Sequence, residues 1–294
     1  METLVTLSNY SYLKKLRDYG VSGIITGSHY FSSRYFYDLE TLKKIALECI
    51  IYGLDLYISI DTFLEEKDRA LLEEYLEFLR FLRPKGIYFS DFGVLHLLKK
   101  LHFEAEYIYA PDTLMTNSLD AEFCLRRGMD RVVLARELTI LEVEAIAQRV
   151  DHKVDLYIFG YLKMAKSKRH YLNNYFKEIG LDKEAKDDLH FRLKEYNREG
   201  LLGILETKYG SEIYSEGILA AYLEYESLSK IITKGIVDDL FLKEEVLFTV
   251  LKDLKRLNGD NARLLLNNLK LRFSDLKFDD GYFHQKTAIK KEDA

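Results

Sequence analysis

A dense group of basic side chains follows an apolar run near the middle of the chain. The run DLYIFG, residues 155–160, reads as a buried strand, and the next residues include Lys163, Lys166, Lys168, Arg169 and His170 with no acid among them. In a chain with a formal net charge of -5, such a cationic loop is typical of a site for phosphate or nucleic acid. A solvated, flexible surface loop would have the same composition.

Further polar residues fall just after the other apolar runs. In a parallel barrel, functional side chains lie where strands end and loops begin, and those positions hold Thr26, His29, Asp61, Asp91, Asn117, Arg136, Glu137, Arg169 and Lys243. Asp61 and Asp91 follow neighbouring strands, so their carboxylates are expected to converge, as general acid–base catalysis or a metal ion requires. The spacing shows no third ligand, and we therefore predict no metal site.

The remaining candidates have ordinary structural alternatives. Arg136 and Glu137 follow one strand and fit either a substrate site or simple ion pairing at the barrel mouth. His29 reads as a loop histidine rather than a ligand. We take Asp61, Asp91 and Glu137 as catalytic candidates.

The order of apolar runs predicts the fold. Short runs alternate with amphipathic stretches, which is the pattern of parallel strands joined by helices. Asp38 and the Thr139–Glu142 capping box mark helix starts, and Gly53 marks a helix end. The sequence thus predicts a TIM-like (β/α)8 barrel with seven units in residues 1–159 and an eighth strand at 235–242.

An inserted segment separates the seventh strand from the eighth. We assign residues 160–234 to this insertion, which comprises the cationic loop, a charged helical part and a β-hairpin turning at Tyr209-Gly210-Ser211. Residues 235–277 hold the last strand and a closing helix at 242–257, and residues 278–294 form a tail.

Composition limits the class of protein. Cys49 and Cys124 are too few for a disulfide framework and read as core residues in a reducing compartment. The sequence has no leader pattern and no uncharged apolar run long enough for a membrane span, so we expect a soluble, cytoplasmic protein. The acidic balance argues against a free-standing nucleic-acid binder, though not against a local basic patch.

Familiar catalytic spacings are missing from the chain. The sequence lacks an H-E-x-x-H zinc motif, a G-x-S-x-G nucleophile elbow and a glycine-rich turn for a nucleotide pyrophosphate. A self-contained hydrolase is therefore poorly supported.

Several strings taken together resemble one family. GVSGIITGSHYFSSR, KGIYFSDFG, YAPDTLMTNSLDAEF, RVVLAREL and FDDGYFHQKT are similar, in order, to blocks of the collagenase-like peptidase family U32. That family includes bacterial tRNA-hydroxylation proteins, which help to make hydroxyuridine at the wobble position using prephenate. RVVLAREL and the PDTLMTN run are the most specific of these matches.

The departures from the family pattern are informative. Cluster-bearing members carry a block like H-G-A-L-C-M-A-Y-S-G-R-C, and its cysteines, with two further on, hold an iron–sulfur cluster. Here Phe159 stands for the histidine and Lys163 and His170 stand for the cysteines, while Gly160, Met164, Ser167 and Arg169 are retained. The resemblance therefore implies that this chain has no cluster.

The string SKRHYLNNYF, residues 167–176, resembles the shorter, cysteine-poor branch of the family, often paired with a longer cluster-bearing relative. The resemblance implies a cluster-free accessory subunit of a tRNA-hydroxylating pair, with the cluster in the partner. RNA phosphate or a small acid would then contact Asn117, Arg136, Lys163, Lys166, Lys168 and Arg169. The alternatives are a peptidase, and a barrel that binds a small acid and only stabilises its partner.

Overall fold

The computed structural model describes residues 1–185, 189–196 and 200–285. Over these residues the strands are β1 (Glu2–Thr6), β2 (Gly23–Thr26), β3 (Asp55–Ile60), β4 (Gly86–Phe89), β5 (Glu106–Tyr109), β6 (Arg131–Val133), β7 (Val154–Ser167), β8 (Arg192–Lys194), β9 (Leu201–Thr207), β10 (Gly210–Ala220), β11 (Lys234–Val237) and β12 (Phe278–Asp279). The α-helices are α1 (Leu13–Asp18), α2 (Leu39–Tyr52), α3 (Arg69–Leu82), α4 (Phe92–Lys100), α5 (Ser118–Arg126), α6 (Ile140–Arg149), α7 (Tyr171–Glu178), α8 (Tyr225–Ile231), α9 (Glu244–Leu254) and α10 (Ala262–Arg272).

Eight parallel strands close into a barrel. Strands β1 to β7 pair in sequence order, and β11 pairs in parallel with both β1 and β7, which closes the ring. Its interior is lined by apolar and aromatic side chains, namely Leu4, Ile25, Tyr57, Tyr88, Ile108, Val133 and Ile236. The predicted (β/α)8 fold with an inserted hairpin before the last strand is confirmed.

Local helix signals in the sequence also form as expected. The Asp38 side chain accepts a hydrogen bond from Thr41 N at 2.7 Å, and Gly53 ends α2 with a φ of 63°. Thr139 and Glu142 form the capping box of α6. These signals depend on a few adjacent residues, which is why they can be read without the tertiary structure.

The predicted cationic loop is wrong over its first half. Strand β7 continues through Lys163 and Lys166 to Ser167, because β10 supplies an antiparallel partner for it, with Ser167 opposite Ser211. The hairpin between β9 and β10 forms with Lys208 and Tyr209 in the turn, and Gly210, with a φ of 116°, opens β10.

The end of the chain differs from the prediction in detail. The eighth strand is only Lys234–Val237, the closing helix is Glu244–Leu254, and a further helix, Ala262–Arg272, follows it. The tail adds a short parallel strand beside β10 and buries Phe283. Residues 286–294 of the predicted tail lie outside the described residues.

Candidate ligand site at the mouth of the barrel

Buried polar atoms without partners gather at one end of the barrel. Ten such side-chain atoms occur among the described residues, and seven belong to residues at or beyond the carboxyl ends of the barrel strands: Thr26 Oγ1, Arg34 Nε, Tyr37 Oη, Thr62 Oγ1, Arg136 Nε, Arg136 Nη1 and Asp238 Oδ2. Buried polar groups nearly always have hydrogen-bond partners. This end, which we call the mouth, is therefore where the structure has polar capacity to bind a ligand.

Arg136 is the central cation of the mouth. It follows β6, is 6% exposed, and lies with its guanidinium carbon 3.8 Å from the centre of the Tyr157 ring. No carboxylate of the described residues lies within ion-pair distance of it, although Asp112 and Asp238 are close enough to affect its pKa. Burial opposes the charge, but Tyr157 and these acids more than offset that effect and raise the Arg136 pKa.

Arg34 and Asp238 form a buried ion pair beside Arg136. Arg34 comes from the loop between β2 and α2, and Asp238 follows β11. One oxygen of Asp238 takes the Arg34 contact and a bond from Leu240 N, and it lies 3.2 Å from the Thr6 hydroxyl. Its other oxygen has no hydrogen-bond partner among the described residues. Gly160, at a φ of 124°, permits this packing, because a Cβ there would lie 2.6 Å from the Asp238 Cβ.

A second ionic cluster joins β7 to β10 at the same end. Glu212 lies 3.2 Å from the Lys163 ammonium and 3.4 Å from that of Lys166, and Asp112 lies 3.3 Å from Lys163. Glu212 also accepts hydrogen bonds from the Ser33 hydroxyl at 2.6 Å and the Tyr214 hydroxyl at 2.5 Å. Burial alone would raise the Glu212 pKa, but the two lysines outweigh it and hold that pKa well below its usual range.

Asp239 is the next acid along the chain and behaves differently. Its carboxylate accepts hydrogen bonds at 2.7 Å from Ser8 N, the Ser8 hydroxyl and the Thr6 hydroxyl. Burial away from water is the larger effect and raises the Asp239 pKa to about 6. This group therefore changes charge near neutral pH.

The basic residues of the predicted cationic segment separate into two groups. Lys163 and Lys166 point into the ionic cluster, and Lys166 also donates to the Asp61 carbonyl oxygen. Lys168 is about half exposed and lies 3.2 Å from Glu65, and Arg169 is exposed. Only Lys168 and Arg169 face solvent, so a flexible loop is the wrong description for residues 163–167. The binding role of the three lysines and Arg169 stays a prediction.

Two of the predicted catalytic carboxylates make separate local hydrogen bonds in the structure. Asp61 accepts from Ser33 N at 2.9 Å and so anchors the loop between β2 and α2, whereas Asp91 accepts from Gly93 N at 2.6 Å and caps α4. Glu137 is exposed. In the part of the chain that the structure describes, no group of three or more His, Cys, Asp or Glu residues is arranged to hold a metal.

The other strand-end residues have local partners or lie apart. Asn117 is exposed and caps α5 by accepting from Asp120 N at 3.0 Å. Lys243 lies 3.5 Å from Asp275, and His29 bonds the Tyr37 carbonyl oxygen through Nδ1 at 3.1 Å. Thr26 is buried at the mouth with its hydroxyl unpartnered.

Several residues of the mouth escaped the sequence reasoning, Tyr37 and Thr62 among them. The acids Asp238 and Asp239 carry a readable signal, because two carboxylates at the end of an apolar run mark a strand terminus. Arg34 and Glu212 carry none, since each lies in a loop or hairpin whose partner strand is remote in sequence.

The two cysteines do not suit an iron–sulfur cluster. Cys49 lies in α2 and Cys124 in α5, and both are buried. Burial raises the pKa of Cys49 to about 12 and also raises that of Cys124, whereas a cluster needs several converging thiolates.

Comparison with known proteins identifies the family. The model of peptidase family U32 matches residues 8–187, which is more than half of the chain. The chain belongs to peptidase family U32. A solved U32 peptidase structure aligns with 81% of this chain and 92% of its own at a TM-score of 0.49 and 14% identity.

Several named proteins of known sequence are similar to this chain. The chain is 24% identical to tRNA hydroxylation protein P2 of Bacillus subtilis, with 98% of each chain covered. It is 27% identical to tRNA hydroxylation protein P1 of the same organism over 59% of this chain, and it spans only 42% of the length of P1. An uncharacterized protease of Methanocaldococcus jannaschii is 27% identical over 60% of this chain and 44% of its own.

A search of the described residues for a membrane span finds no helix that is both long enough and apolar enough.

Proposed function

We propose that this U32 protein is a cluster-free accessory subunit of a cytoplasmic tRNA-hydroxylation system and that its barrel mouth binds a small carboxylic acid. The family role is supported by the likeness to protein P2 along almost the whole of both chains. The ligand class is supported by one observation above all: Arg136 is a buried cation that has no carboxylate partner in the part of the chain that the structure describes. A carboxylate placed beside it supplies the missing charge and hydrogen bonds.

Prephenate is the first acid to test, because the tRNA-hydroxylation proteins that the sequence resembles use it. The structure adds only that the ligand must present a carboxylate to Arg136 beside the Arg34–Asp238 pair. An iron–sulfur cluster, where the reaction needs one, is proposed to reside in a longer partner subunit. RNA phosphate would meet the exposed Lys168 and Arg169.

Binding can be measured directly on the full chain. Titration calorimetry with prephenate should give saturable binding that weakens at least tenfold in Arg136→Gln, because the buried charge is removed. Arg126→Gln is the matched control, since Arg126 is an exposed α5 arginine paired with Glu122 and lies at the other end of its helix from the mouth. Equal affinity in wild type and Arg136→Gln would refute the assignment.

The biological role needs a separate test. Deletion of the gene, alone and with its cluster-bearing relative, should lower wobble hydroxyuridine measured by mass spectrometry of tRNA nucleosides. Unchanged levels in both strains would exclude a role in hydroxylation whether or not the mouth binds an acid.

Peptidase activity remains the alternative because of the family name and the name of the archaeal relative. The acids Asp61, Asp91 and Glu137 would have to provide it, yet the first two are engaged in separate local hydrogen bonds. Cleavage of gelatin by the purified chain, lost on Asp61→Asn, would favour this alternative over the accessory role.

A further inference from the structure

We infer that residues 28–37, between β2 and α2, form a lid over the mouth and that the hydroxyl of Tyr209, in the β9–β10 turn, is the latch that holds it closed. This inference concerns access to the ligand site and so rests on the proposed function.

The lid is buried to an unusual degree for a connecting loop. Such segments ordinarily run over the protein surface, yet the residues from Phe31 to Tyr35 are each 4% exposed or less. Beneath them Arg136 and Asp238 are no more than 6% exposed. A ligand therefore reaches these groups only when the covering segment moves.

The lid is closed on itself at its base. His29 N donates to the Tyr37 carbonyl oxygen at 3.0 Å, and His29 Nδ1 lies 3.1 Å from the same oxygen. Ser28 and Phe31 form a further bridge inside the loop. These contacts join its two ends, so the segment can move as one body between Gly27 and the α2 cap at Asp38.

The inner side of the lid makes polar contacts with the mouth. Ser33 N donates to one oxygen of Asp61 at 2.9 Å, and the Ser33 hydroxyl donates to Glu212 at 2.6 Å and lies 3.2 Å from the same Asp61 oxygen. Arg34 pairs with Asp238. Water or an anionic ligand can replace contacts of this kind, which makes the closed position reversible.

Tyr209 holds the outer side of the lid from the inserted hairpin. Its hydroxyl accepts from Phe31 N at 2.7 Å and donates to the His29 carbonyl oxygen at 3.2 Å. Both lid atoms belong to the main chain, so the latch acts on the loop backbone itself. Opening the lid away from the hairpin must break these two bonds.

Amide hydrogen exchange of the ligand-free chain, resolved by residue, tests the latch in Tyr209→Phe. Loss of two hydrogen bonds should raise lid opening about tenfold. The Phe31 amide loses its own acceptor in this variant, so its exchange rate would rise whether or not the lid opens. The informative amides are Ser33, which keeps its bond to Asp61, and Asp61, which donates to the Phe31 carbonyl oxygen at 3.0 Å.

The expected result is that Ser33 and Asp61 accelerate together, by the same factor, while amides of β3 and β6 keep their wild-type rates. Tyr107→Phe is the matched control, because it removes a hydroxyl bond to the Phe103 carbonyl oxygen at 2.6 Å on another part of the barrel. It should leave the lid rates unchanged. Acceleration of Phe31 alone, or of the whole barrel equally, would overturn the lid.

Wild-type exchange gives a second measurement that needs no variant. Phe31, Ser33 and Asp61 should share one opening free energy, lower than that of the barrel strands. Three unrelated values, or values equal to global unfolding, would contradict a lid that moves as a body. Neither exchange measurement involves a ligand. A negative result would therefore contradict the lid but not the acid-binding proposal, which the calorimetric titration tests separately.

Discussion

Arg136 differs from the other buried arginines in the groups that contact its guanidinium. Arg34 is paired with Asp238, and Arg131 at the opposite end of the barrel is paired with Asp155 at 2.9 Å and Glu106 at 2.8 Å. Arg136 has the Tyr157 ring instead. Two of its guanidinium nitrogens, Nε and Nη1, are buried without a hydrogen-bond partner among the described residues, which reduces stability, so its position is better explained by ligand binding than by folding.

This difference predicts that the same substitution changes the unfolding free energy by different amounts at the two positions. Arg136→Met should change the unfolding free energy by no more than about 1 kcal/mol, because a lost cation–π contact offsets the removed desolvation cost. Arg34→Met should cost about 3–5 kcal/mol, because Asp238 is left charged and buried. Urea denaturation of both variants measures this, and equal losses would contradict the contrast.

Asp239 predicts a pH dependence of stability. Its pKa of about 6 lies above the model-peptide value of 3.8, so the folded state binds the proton more tightly than the unfolded state does. The resulting stabilisation is present below about pH 4 and is lost as pH rises through about 6.

Between pH 5 and pH 8 this residue should therefore lower the unfolding free energy of the wild type by about 1 kcal/mol. Asp239→Asn removes the titrating group. The loss of unfolding free energy between pH 5 and pH 8 should therefore be about 1 kcal/mol smaller in this variant than in the wild type. Urea titrations of both proteins at the two pH values measure the difference. Parallel pH profiles would show that Asp239 does not titrate in this range.

Among the elements, β7 and β10 are joined by buried ion pairs that differ from the ion pairs at the protein surface. The acid Glu212 is 3% exposed and lies between Lys163 and Lys166, whereas the Lys168–Glu65 pair is about half exposed. Water screens the second pair but not the first. The cluster therefore fixes the inserted hairpin to the barrel.

Glu212→Gln should destabilise the protein by about 3–5 kcal/mol, because Lys166 loses its carboxylate and Lys163 keeps only Asp112. Lys168→Ala should cost less than about 1 kcal/mol. Chemical denaturation of both variants, followed by tyrosine fluorescence, measures the difference. A small effect of Glu212→Gln would mean that packing, not the ionic cluster, holds the hairpin.

At the scale of the whole molecule, the inserted hairpin contacts the mouth of the barrel through two of its side chains. The same hairpin supplies Glu212 to the ionic cluster and Tyr209 to the loop between β2 and α2. Ligand access and attachment of the insertion are thus linked through one element.

The cysteine positions predict the metal content of the isolated protein. Because Cys49 and Cys124 are buried in separate helices, the chain purified alone under anaerobic conditions should contain no stoichiometric iron or sulfide. Iron and sulfide analysis of that preparation measures this. A preparation in which a cluster-bearing relative co-purifies with the chain serves as the comparison. Stoichiometric iron in the isolated chain would require ligands other than paired thiolates.

The sequence by itself determined the barrel and its helix caps, since apolar periodicity and capping act over a few neighbouring residues. It also named Arg136 as a binding candidate, and that role stays a prediction. It misjudged residues 163–167, because a run of lysines looks solvated until the partner strand is known. Only the tertiary structure placed Glu212 beside Lys163, and Arg34 beside Asp238. Those pairs join residues remote in the chain, and no local pattern records which buried charges will neutralise each other, or that Arg136 has no carboxylate partner among residues 1–185, 189–196 and 200–285.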